Sequence, residues 1–405
     1  MRAYERLLDF TAYDTTSDED APESASPSTK KQLAFADRLA DELNGLGFEG
    51  VRRDEFGYVY GFLPSNCGED QPVVGLISHM DTSPAASGAN IRPRVVKNYD
   101  GGDIVLNKEK DIVLSPTDFG CLLGCKGMDL VVTDGTTLLG ADDKAGVSEI
   151  LTAAETLRDK NVPHGKIAVA FTPDEEIGRG TDHFDLTGFG ADFAYTVDGG
   201  KLGELEYENF NAAAAVLTVH GVGTHPGDAK NKMRNAAVLG MEFHAMLPAA
   251  ETPEHTEGRE GFYHLARFEG REETAELRYI VRDHDRAKFE ARKAYLRRAA
   301  DYLNGKYGAG TFELVLKDSY YNMKAIIDRH MDVVHRAEKA MRSCGVEPVA
   351  VPIRGGTDGA TLSWKGLPCP NLPTGGYNYH SRFEFAVVQE MDKMAEVLVA
   401  LVQKQ

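Results

Sequence analysis

The feature that most constrains this sequence is a pair of apolar runs that each end in charged side chains. Residues 73–77 lead into His79 and Asp81, and residues 167–171 lead into three consecutive acids at 174–176. Short apolar runs of this kind are typical of strands buried on both faces. Parallel α/β sheets build their sites at the carboxyl ends of such strands. The pattern therefore predicts an enzyme with a polar site at one edge of a buried sheet.

Secondary-structure patterns divide the chain into two kinds of region. In the first half, strand-like runs alternate with amphipathic helices, an order typical of a mostly parallel sheet with helices on both faces. The helices predicted there cover residues 31–46 and 144–158, and the strands cover 58–62, 73–77 and 166–171. After about residue 208 come strands at 211–219, 262–268, 275–282 and 311–316, with helices at 231–247 and 286–303. Helical patterns return at 325–343 and 387–402, and loops are predicted at 83–102, 355–358 and 373–380.

These patterns predict an α/β protein of two domains, because 405 residues exceed what one ordinary core accommodates. A catalytic domain with a mostly parallel sheet is expected to comprise residues 1–207 together with 319–405. A smaller α+β domain of β-α-β-β-α-β order is expected as an insertion at residues 208–318.

Composition argues against several classes of partner. The formal net charge of −18 is opposite to the positive surface that nucleic acids or anionic lipids require. No apolar segment is long enough to span a bilayer, and charged residues interrupt the apolar pattern at the start of the chain. The five cysteines are scattered, unlike a secreted disulfide framework. We therefore expect a cytoplasmic protein with no nucleic-acid or membrane partner.

Each candidate site residue has an ordinary structural explanation when it is taken alone. His79 could hydrogen-bond to Asp81, and Asp142 could cap the helix that follows it. The acids at 174–176 could form a solvated loop, although three adjacent carboxylates in a dry site need cations or protons to offset their repulsion. The single motifs leave these alternatives open.

Taken together, the candidates form a set suited to two metal ions. Two imidazoles and three carboxylates are supplied by His79, Asp142, Glu176, Asp198 and His380. Such a set fits two zinc-like divalent cations that share the carboxylate of Asp142. Glu175 is then left as a general acid or base. Asp81, two residues after His79, shares its face of the strand and would orient its imidazole.

The motifs, in their order along the chain, resemble those of the peptidase T family, the tripeptide aminopeptidases among the M20 metallopeptidases. They are His-Met-Asp-Thr (79–82), Gly-Ala-Asp-Asp-Lys-Ala-Gly (140–146), Phe-Thr-Pro-Asp-Glu-Glu-Ile-Gly-Arg-Gly (171–180), His-Pro-Gly (225–227), Arg-Gly-Gly-Thr-Asp-Gly (354–359) and Asn-Tyr-His (378–380). The resemblance implies a metal-dependent aminopeptidase that hydrolyses the first peptide bond of tripeptides. It also implies two Zn²⁺ per subunit, for which Co²⁺ or Mn²⁺ could substitute because His and carboxylate ligands accept several metals.

The resemblance further implies a role for each site residue. One zinc ion would be held by His79 and Asp198, the other by Glu176 and His380, with Asp142 bridging them. The implied catalytic residues are Asp81, which orients His79, Glu175, which takes a proton from the metal-activated water, and His225. The inserted domain is implied to act as a lid and to form a homodimer, in which His225 reaches the partner subunit's active site and stabilises the oxyanion.

The terminal carboxylate of a tripeptide needs a cationic partner, for which Arg354 and Arg282 are candidates. Asn378 is a candidate for contacting the substrate backbone. The alternative for each arginine is a structural ion pair, with Asp358 for Arg354 and with Asp283 for Arg282.

One departure from the family pattern leaves the substrate preference open. Ser381 and Arg382 follow His380, where a glycine-containing run is expected. The alternative activities on the same scaffold are those of a dipeptidase, a carboxypeptidase or an N-acyl amino acid deacylase. A catalytically silent peptide-binding protein is the alternative from a different class.

Overall fold

The protein folds into two compact units in a computed structural model that describes residues 1–68 and 71–404. The first unit comprises residues 1–207, 325–351 and those from 357 onward. The second comprises Glu208–Lys324 and Pro352–Gly356.

Helices and strands follow one another through the described chain as follows. The α-helices are α1 (Ala3–Phe10), α2 (Lys31–Leu46), α3 (Ala141–Asp159), α4 (Leu186–Phe189), α5 (Ala236–Ala245), α6 (Arg286–Tyr307), α7 (Lys324–Ile327), α8 (Met331–Ser343), α9 (Asp358–Trp364) and α10 (Val388–Val402). The strands are β1 (Glu49–Arg53), β2 (Val59–Leu63), β3 (Val74–His79), β4 (Arg94–Val96), β5 (Ile104–Asn107), β6 (Ile112–Leu114), β7 (Leu130–Val132), β8 (Ile167–Thr172), β9 (Phe193–Gly199), β10 (Glu204–Leu205), β11 (Asn211–His220), β12 (Phe262–Gly270), β13 (Thr274–Asp283), β14 (Phe312–Tyr320), β15 (Val349–Ala350), β16 (Asn371–Pro373), β17 (Gly376–Tyr377) and β18 (Phe385–Val387). Among the described residues, no helix combines the length and the apolar composition needed to cross a membrane.

The first unit is built around a six-stranded sheet in the order β1-β2-β8-β3-β9-β16. The four strands β8, β3, β9 and β16 are parallel, whereas β1 and β2 pair in antiparallel fashion at one edge. Every residue of β3 and β8 is buried. The two apolar runs thus form neighbouring strands in the middle of the sheet, which explains why they lack the polar alternation of a half-exposed strand.

Helices cover both faces of this sheet. Successive side chains of a strand point to opposite faces, and in β3 the hydroxyl of Ser78 contacts the carboxylate of Asp143 in α3. On the other face, Ile77 belongs to one apolar cluster with Phe189 of α4 and Leu362 of α9. The predicted α/β fold is confirmed.

The second unit has the predicted β-α-β-β-α-β order, formed by β11, α5, β12, β13, α6 and β14. Its four strands form one antiparallel sheet in the order β12-β13-β11-β14. Its apolar core joins Leu217 and Leu277 of the sheet to Phe243 of α5 and to Phe289 and Leu296 of α6. Along β14, exposed residues alternate with less exposed ones, as expected of a strand with one face towards the solvent.

The sequence patterns did not predict several short strands. Strand β4 lies inside the predicted loop 83–102, and β17 lies inside the predicted loop 373–380. Together with β7 and β18 they form a four-stranded sheet in the order β17-β18-β7-β4. Strands of two or three residues are too short to display a periodic pattern, so their pairing depends on contacts that are distant in sequence.

Several predicted boundaries are wrong, and three of them have a clear local cause. The helix expected at 231–247 begins only at Ala236, because the side chain of Asn235 caps it by accepting a bond from the N–H of Val238 (3.2 Å). The helix expected at 325–343 is broken into α7 and α8, since the N–H groups of Arg329 and His330 bond to carbonyls three residues back instead of four. Residue 358 is not in a loop, because it is the first residue of α9.

Gly146, near the start of α3, lies against the backbone of β9. A Cβ atom at this position would lie 1.8 Å from the carbonyl oxygen of Val197 and 2.5 Å from Oδ1 of Asp143. Because a backbone carbonyl cannot swing aside as a flexible side chain can, we expect Gly146→Ala to lower the free energy of unfolding by about 1–3 kcal/mol or more. The control is Gly45→Ala in α2, where no atom beyond the adjoining residues and the helix's own backbone lies within 4 Å of the new methyl group. Urea unfolding of both variants measures the difference, and equal midpoints would contradict the close approach.

Candidate metal centre

Three neighbouring parallel strands deliver polar side chains to the same edge of the central sheet. His79 is the last residue of β3, and Asp198 lies near the end of β9. Glu175 and Glu176 follow β8 in a short 3₁₀ turn, Glu175–Ile177. Because β8, β3 and β9 are adjacent and parallel, their carboxyl ends lie side by side. The sheet itself therefore gathers residues that are about 100 positions apart in sequence.

The first cluster consists of His79, Asp142 and Asp198. Nε2 of His79 lies 2.9 Å from Oδ1 of Asp142 and 3.3 Å from Oδ1 of Asp198. The histidine side chain is only 2% exposed, whereas the two carboxylates are 14% and 11% exposed. One imidazole nitrogen and two carboxylate oxygens thus converge in a nearly dry space.

The second cluster consists of Asp142, Glu176 and His380. Nε2 of His380 lies 2.8 Å from Oε2 of Glu176 and 3.1 Å from Oδ2 of Asp142. Asp142 therefore belongs to both clusters, and it presents a different oxygen to each imidazole.

The donor set fits a pair of divalent cations. Two ligand atoms of a tetrahedral zinc ion are separated by about 3.3–3.5 Å, and the separations here are 2.8 to 3.3 Å. Within the part of the chain that the structure describes, Oε1 of Glu176 is buried and has no hydrogen-bond partner. A buried carboxylate oxygen without a donor is costly unless a cation faces it.

The pKa values in the clusters reflect acids that are buried beside imidazoles. Burial raises the pKa of Asp198 to about 6 and that of Glu176 to about 8. Burial also acts to raise the pKa of Asp142, but hydrogen bonds from His380 and His79 hold it below its ordinary value. Hydrogen bonds with Asp142 and Glu176 raise the pKa of His380 to about 11. The imidazoles supply the positive charge that offsets the carboxylates, a role that divalent cations take over when they bind.

Asp81 links the histidine of the first cluster to the acidic loop. Nδ1 of His79, the ring nitrogen that faces away from the cluster, lies 3.1 Å from the backbone carbonyl oxygen of Asp81 and 3.3 Å from its Oδ1. The same carboxylate accepts hydrogen bonds from the backbone N–H groups of Glu175 (3.0 Å) and Glu176 (3.2 Å). One buried acid thus fixes the orientation of an imidazole and the backbone of two neighbouring glutamates.

Glu175 belongs to neither of the two clusters found among the described residues. Removal of water from around its carboxyl group raises the pKa of Glu175 well above the ordinary value, and the nearby Asp198, Asp358 and Glu176 raise it further. Asp174 points elsewhere, since its carboxylate accepts bonds from the N–H of Ser28 and from Nε2 of Gln32, both at 2.6 Å. The three adjacent acids therefore have three different surroundings.

Three buried acids around the clusters were missed in the sequence. Asp143 accepts bonds from the hydroxyl of Ser78 and from the N–H of His79 (3.2 Å). Asp358 accepts a bond from the hydroxyl of Thr172 (2.8 Å) at the end of β8. Glu384 accepts bonds from the turn that precedes α3, and burial raises its pKa to about 7 although these N–H groups lower it. Their closeness in sequence to predicted site residues was the one signal available.

Asn378, a candidate for substrate binding, forms a hydrogen bond within its own loop. Its Nδ2 donates to the carbonyl of Phe383 (3.2 Å), and its Oδ1 lies 3.5 Å from Sγ of Cys121. Its φ of 56° is in the left-handed region, which asparagine tolerates better than most residues.

The two candidate arginines lie in the second unit, and neither forms the ion pair considered as its alternative. The guanidinium of Arg354 donates to the carbonyls of Thr256, Gly258 and Glu260. Nη1 of Arg282 donates to the carbonyl of Arg354 (3.1 Å), while Nε of Arg282 is buried without a partner among the described residues. The carboxylate of Asp283 instead accepts from Nε of Arg292 (2.8 Å).

His225 also lies in the second unit, exposed and immediately before the 3₁₀ turn Pro226–Asp228. Its Nδ1 accepts a hydrogen bond from the N–H of Gly227 (3.1 Å). In the neutral ring the proton is therefore on Nε2, which makes that nitrogen a hydrogen-bond donor.

Comparisons with known proteins agree with this architecture. The model of the M20 peptidase dimerisation domain matches residues 207–311. The peptidase T of Caldanaerobacter subterraneus subsp. tengcongensis is 53% identical over 403 residues, which are 99% of this chain and 98% of the relative. The chain belongs to the peptidase T family.

Solved structures share this fold. The aminopeptidase PepT of Bacillus cereus is 25% identical, with a TM-score of 0.77 over 99% of this chain and 97% of that one. A tripeptidase of Staphylococcus aureus, 20% identical, shares the fold with a TM-score of 0.79 over 99% and 97% of the two chains. Together with the ligand clusters, family membership identifies the centre as a site for a divalent metal cofactor.

Proposed function

We propose that this chain is a metal-dependent aminopeptidase that releases the amino-terminal residue of tripeptides. The observation that carries the proposal is the carboxylate of Asp142, whose two oxygens face two different histidines. The 53% identity to curated peptidase T proteins supports the reaction and the length of the substrate. The five free cysteines agree with action in the cytoplasm.

We further propose that each subunit holds two zinc ions, for which Co²⁺ or Mn²⁺ could substitute. His79 and Asp198 would hold one ion, Glu176 and His380 the other, and Asp142 would bridge them. When bound, such a pair of cations lowers the pKa of water towards neutrality and polarises the scissile carbonyl. Asp81 keeps His79 in the orientation that presents Nε2 to the centre.

Glu175 is proposed as the general base. It takes a proton from the attacking water and passes the proton to the amine that leaves when the peptide bond breaks. Burial raises the pKa of Glu175, which makes it a stronger proton acceptor than an ordinary carboxylate. Because Asp81 holds its backbone N–H, the position of this base is fixed relative to His79.

The inserted domain, expected at residues 208–318, is proposed to be a lid that forms a homodimer. The match to the dimerisation-domain model over residues 207–311 supports this role. His225 would donate Nε2–H to the oxyanion in the partner subunit's active site.

Arg282 is the stronger candidate for the substrate carboxylate, because its buried Nε has no partner among the described residues whereas Arg354 donates to three loop carbonyls. Asn378 remains a candidate for the substrate backbone.

The first experiment compares three substrates. The zinc-loaded protein is incubated with a free tripeptide, its amino-acetylated form and the matching dipeptide, and products are identified by mass spectrometry. We expect release of the first residue from the free tripeptide alone. Cleavage of the acetylated peptide or the dipeptide instead would transfer the protein to the dipeptidases, carboxypeptidases or deacylases of the same scaffold, and no cleavage at all would favour a silent peptide-binding protein.

The base assignment is tested by Glu175→Gln, which keeps the shape of the side chain but removes the proton acceptor. We expect kcat to fall by about 10²- to 10⁴-fold, with metal content unchanged because Glu175 lies outside both ligand clusters. Exposed Glu55→Gln is the control and should keep wild-type turnover. Unchanged turnover in Glu175→Gln would refute the assignment.

The proposed action of His225 across the dimer is tested by mixing inactive variants. His225→Ala should lower kcat by about 10²- to 10³-fold, as removal of one oxyanion donor does elsewhere. Asp142→Asn should be inactive because it removes the shared ligand. Mixed dimers of the two variants contain one site with both an intact metal centre and the partner's His225, so part of the activity should return. Verified mixed dimers without any recovery would exclude the trans arrangement.

A further inference from the structure

Glu384 is a buried acid that holds the turn leading to Asp142. It is 2% exposed. Its Oε2 accepts hydrogen bonds from the N–H groups of Leu139 (2.7 Å) and Gly140 (2.8 Å), and its Oε1 accepts from the N–H of Asp142 (3.0 Å). A single carboxyl group thus satisfies three backbone donors in four consecutive residues.

This turn needs an external acceptor. The first N–H groups of a helix have no partner within the helix, and Gly140, at the N-cap of α3, provides no side-chain acceptor. Gly140 has a φ of +77°, and Asp142 and Asp143 have non-helical backbone angles. Buried backbone N–H groups without acceptors are costly. Glu384 supplies the acceptors that local sequence cannot.

Glu384 also belongs to the loop that carries His380. Its N–H donates to the carbonyl of Ser381 (3.2 Å), and the hydroxyl of Ser381 accepts from the N–H of Phe383 (3.0 Å). A glycine at residue 381 could not make the second bond. The loop after His380 is therefore closed by its own hydrogen bonds, and Glu384 joins it to the turn that presents Asp142.

We propose that Glu384 is a positioning residue that fixes Asp142 relative to His380 and thereby sets the affinity of their cluster for its divalent cation. The inference rests on the proposed metal binding. Nε2 of His380 lies 3.1 Å from Oδ2 of Asp142. Glu384 acts on them through the backbone and does not enter the cluster.

Replacement of Glu384 by glutamine tests this role. The amide has one oxygen, and its NH₂ group would face an N–H donor, so the variant loses at least one of the three bonds. Changes of this kind around metal ligands cost about 10- to 100-fold in metal affinity. Glu384→Asp keeps both oxygens on a shorter side chain and should give a smaller loss.

The matched control is Glu390→Gln. Glu390 is also a buried glutamate, and it accepts bonds from the N–H of Leu202 (3.1 Å) and the hydroxyl of Tyr377 (3.0 Å). The same chemical change there leaves the turn at 139–142 intact. The Glu390→Gln variant should therefore bind the cation with wild-type affinity.

The measurement is a calorimetric titration of chelator-treated, full-length protein with Zn²⁺ in the presence of a competing chelator, together with thermal unfolding of each metal-free variant. We expect at least one of the two Zn²⁺ affinities to fall 10- to 100-fold in Glu384→Gln, to fall less in Glu384→Asp, and to stay unchanged in Glu390→Gln. If Glu384→Gln does not fold, the loss of affinity in Glu384→Asp decides the question.

Each other outcome overturns a stated part of the argument. A folded Glu384→Gln that is destabilised but binds Zn²⁺ with wild-type affinity would show a merely structural role. An equal loss in Glu390→Gln would also end the proposal. A wild-type protein that binds fewer than two Zn²⁺ would instead contradict the proposed metal centre itself.

Discussion

The centre depends on one carboxylate that two imidazoles share. Asp142 faces His79 with one oxygen and His380 with the other, at 2.9 and 3.1 Å. The two histidines are 301 residues apart, since they stand at positions 79 and 380. Neither cluster is complete without Asp142, so the backbone at the start of α3 must be held to within about 0.5 Å. Much of the surrounding structure serves that requirement.

Two kinds of support place the ligands. The parallel sheet places His79 and Asp198 at the ends of its paired strands β3 and β9. Glu176 follows β8 in a short turn, where the carboxylate of Asp81 accepts a hydrogen bond from its backbone N–H. Asp142 and His380 come from a turn and a loop, which have no such ladder. Buried acids take the place of the ladder. The two oxygens of each carboxylate accept hydrogen bonds from backbone N–H groups that have no partner in a strand or helix.

The sequence predicted the parts of the site that depend on local patterns. Short apolar runs marked β3 and β8, and the acids and histidine that follow them were recognisable as candidates. The partners of those candidates were not recognisable, because Asp143, Asp358 and Glu384 accept hydrogen bonds from residues that are 65, 186 and 242 positions away in sequence. The arginines show the same limit. The sequence offered a structural ion pair as the alternative to substrate binding for each of them, whereas Arg354 donates to the carbonyls of a distant loop.

The two histidines of the centre meet the solvent very differently. The side chain of His79 is 2% exposed, and that of His380 is 50% exposed. A reagent that acylates or oxidises imidazoles can therefore reach His380 while His79 stays shielded. The protein thus contains an internal standard for chemical labelling. The extent to which His380 is modified measures how accessible the centre is to solvent, and the absence of modification at His79 shows that the sheet around it is intact.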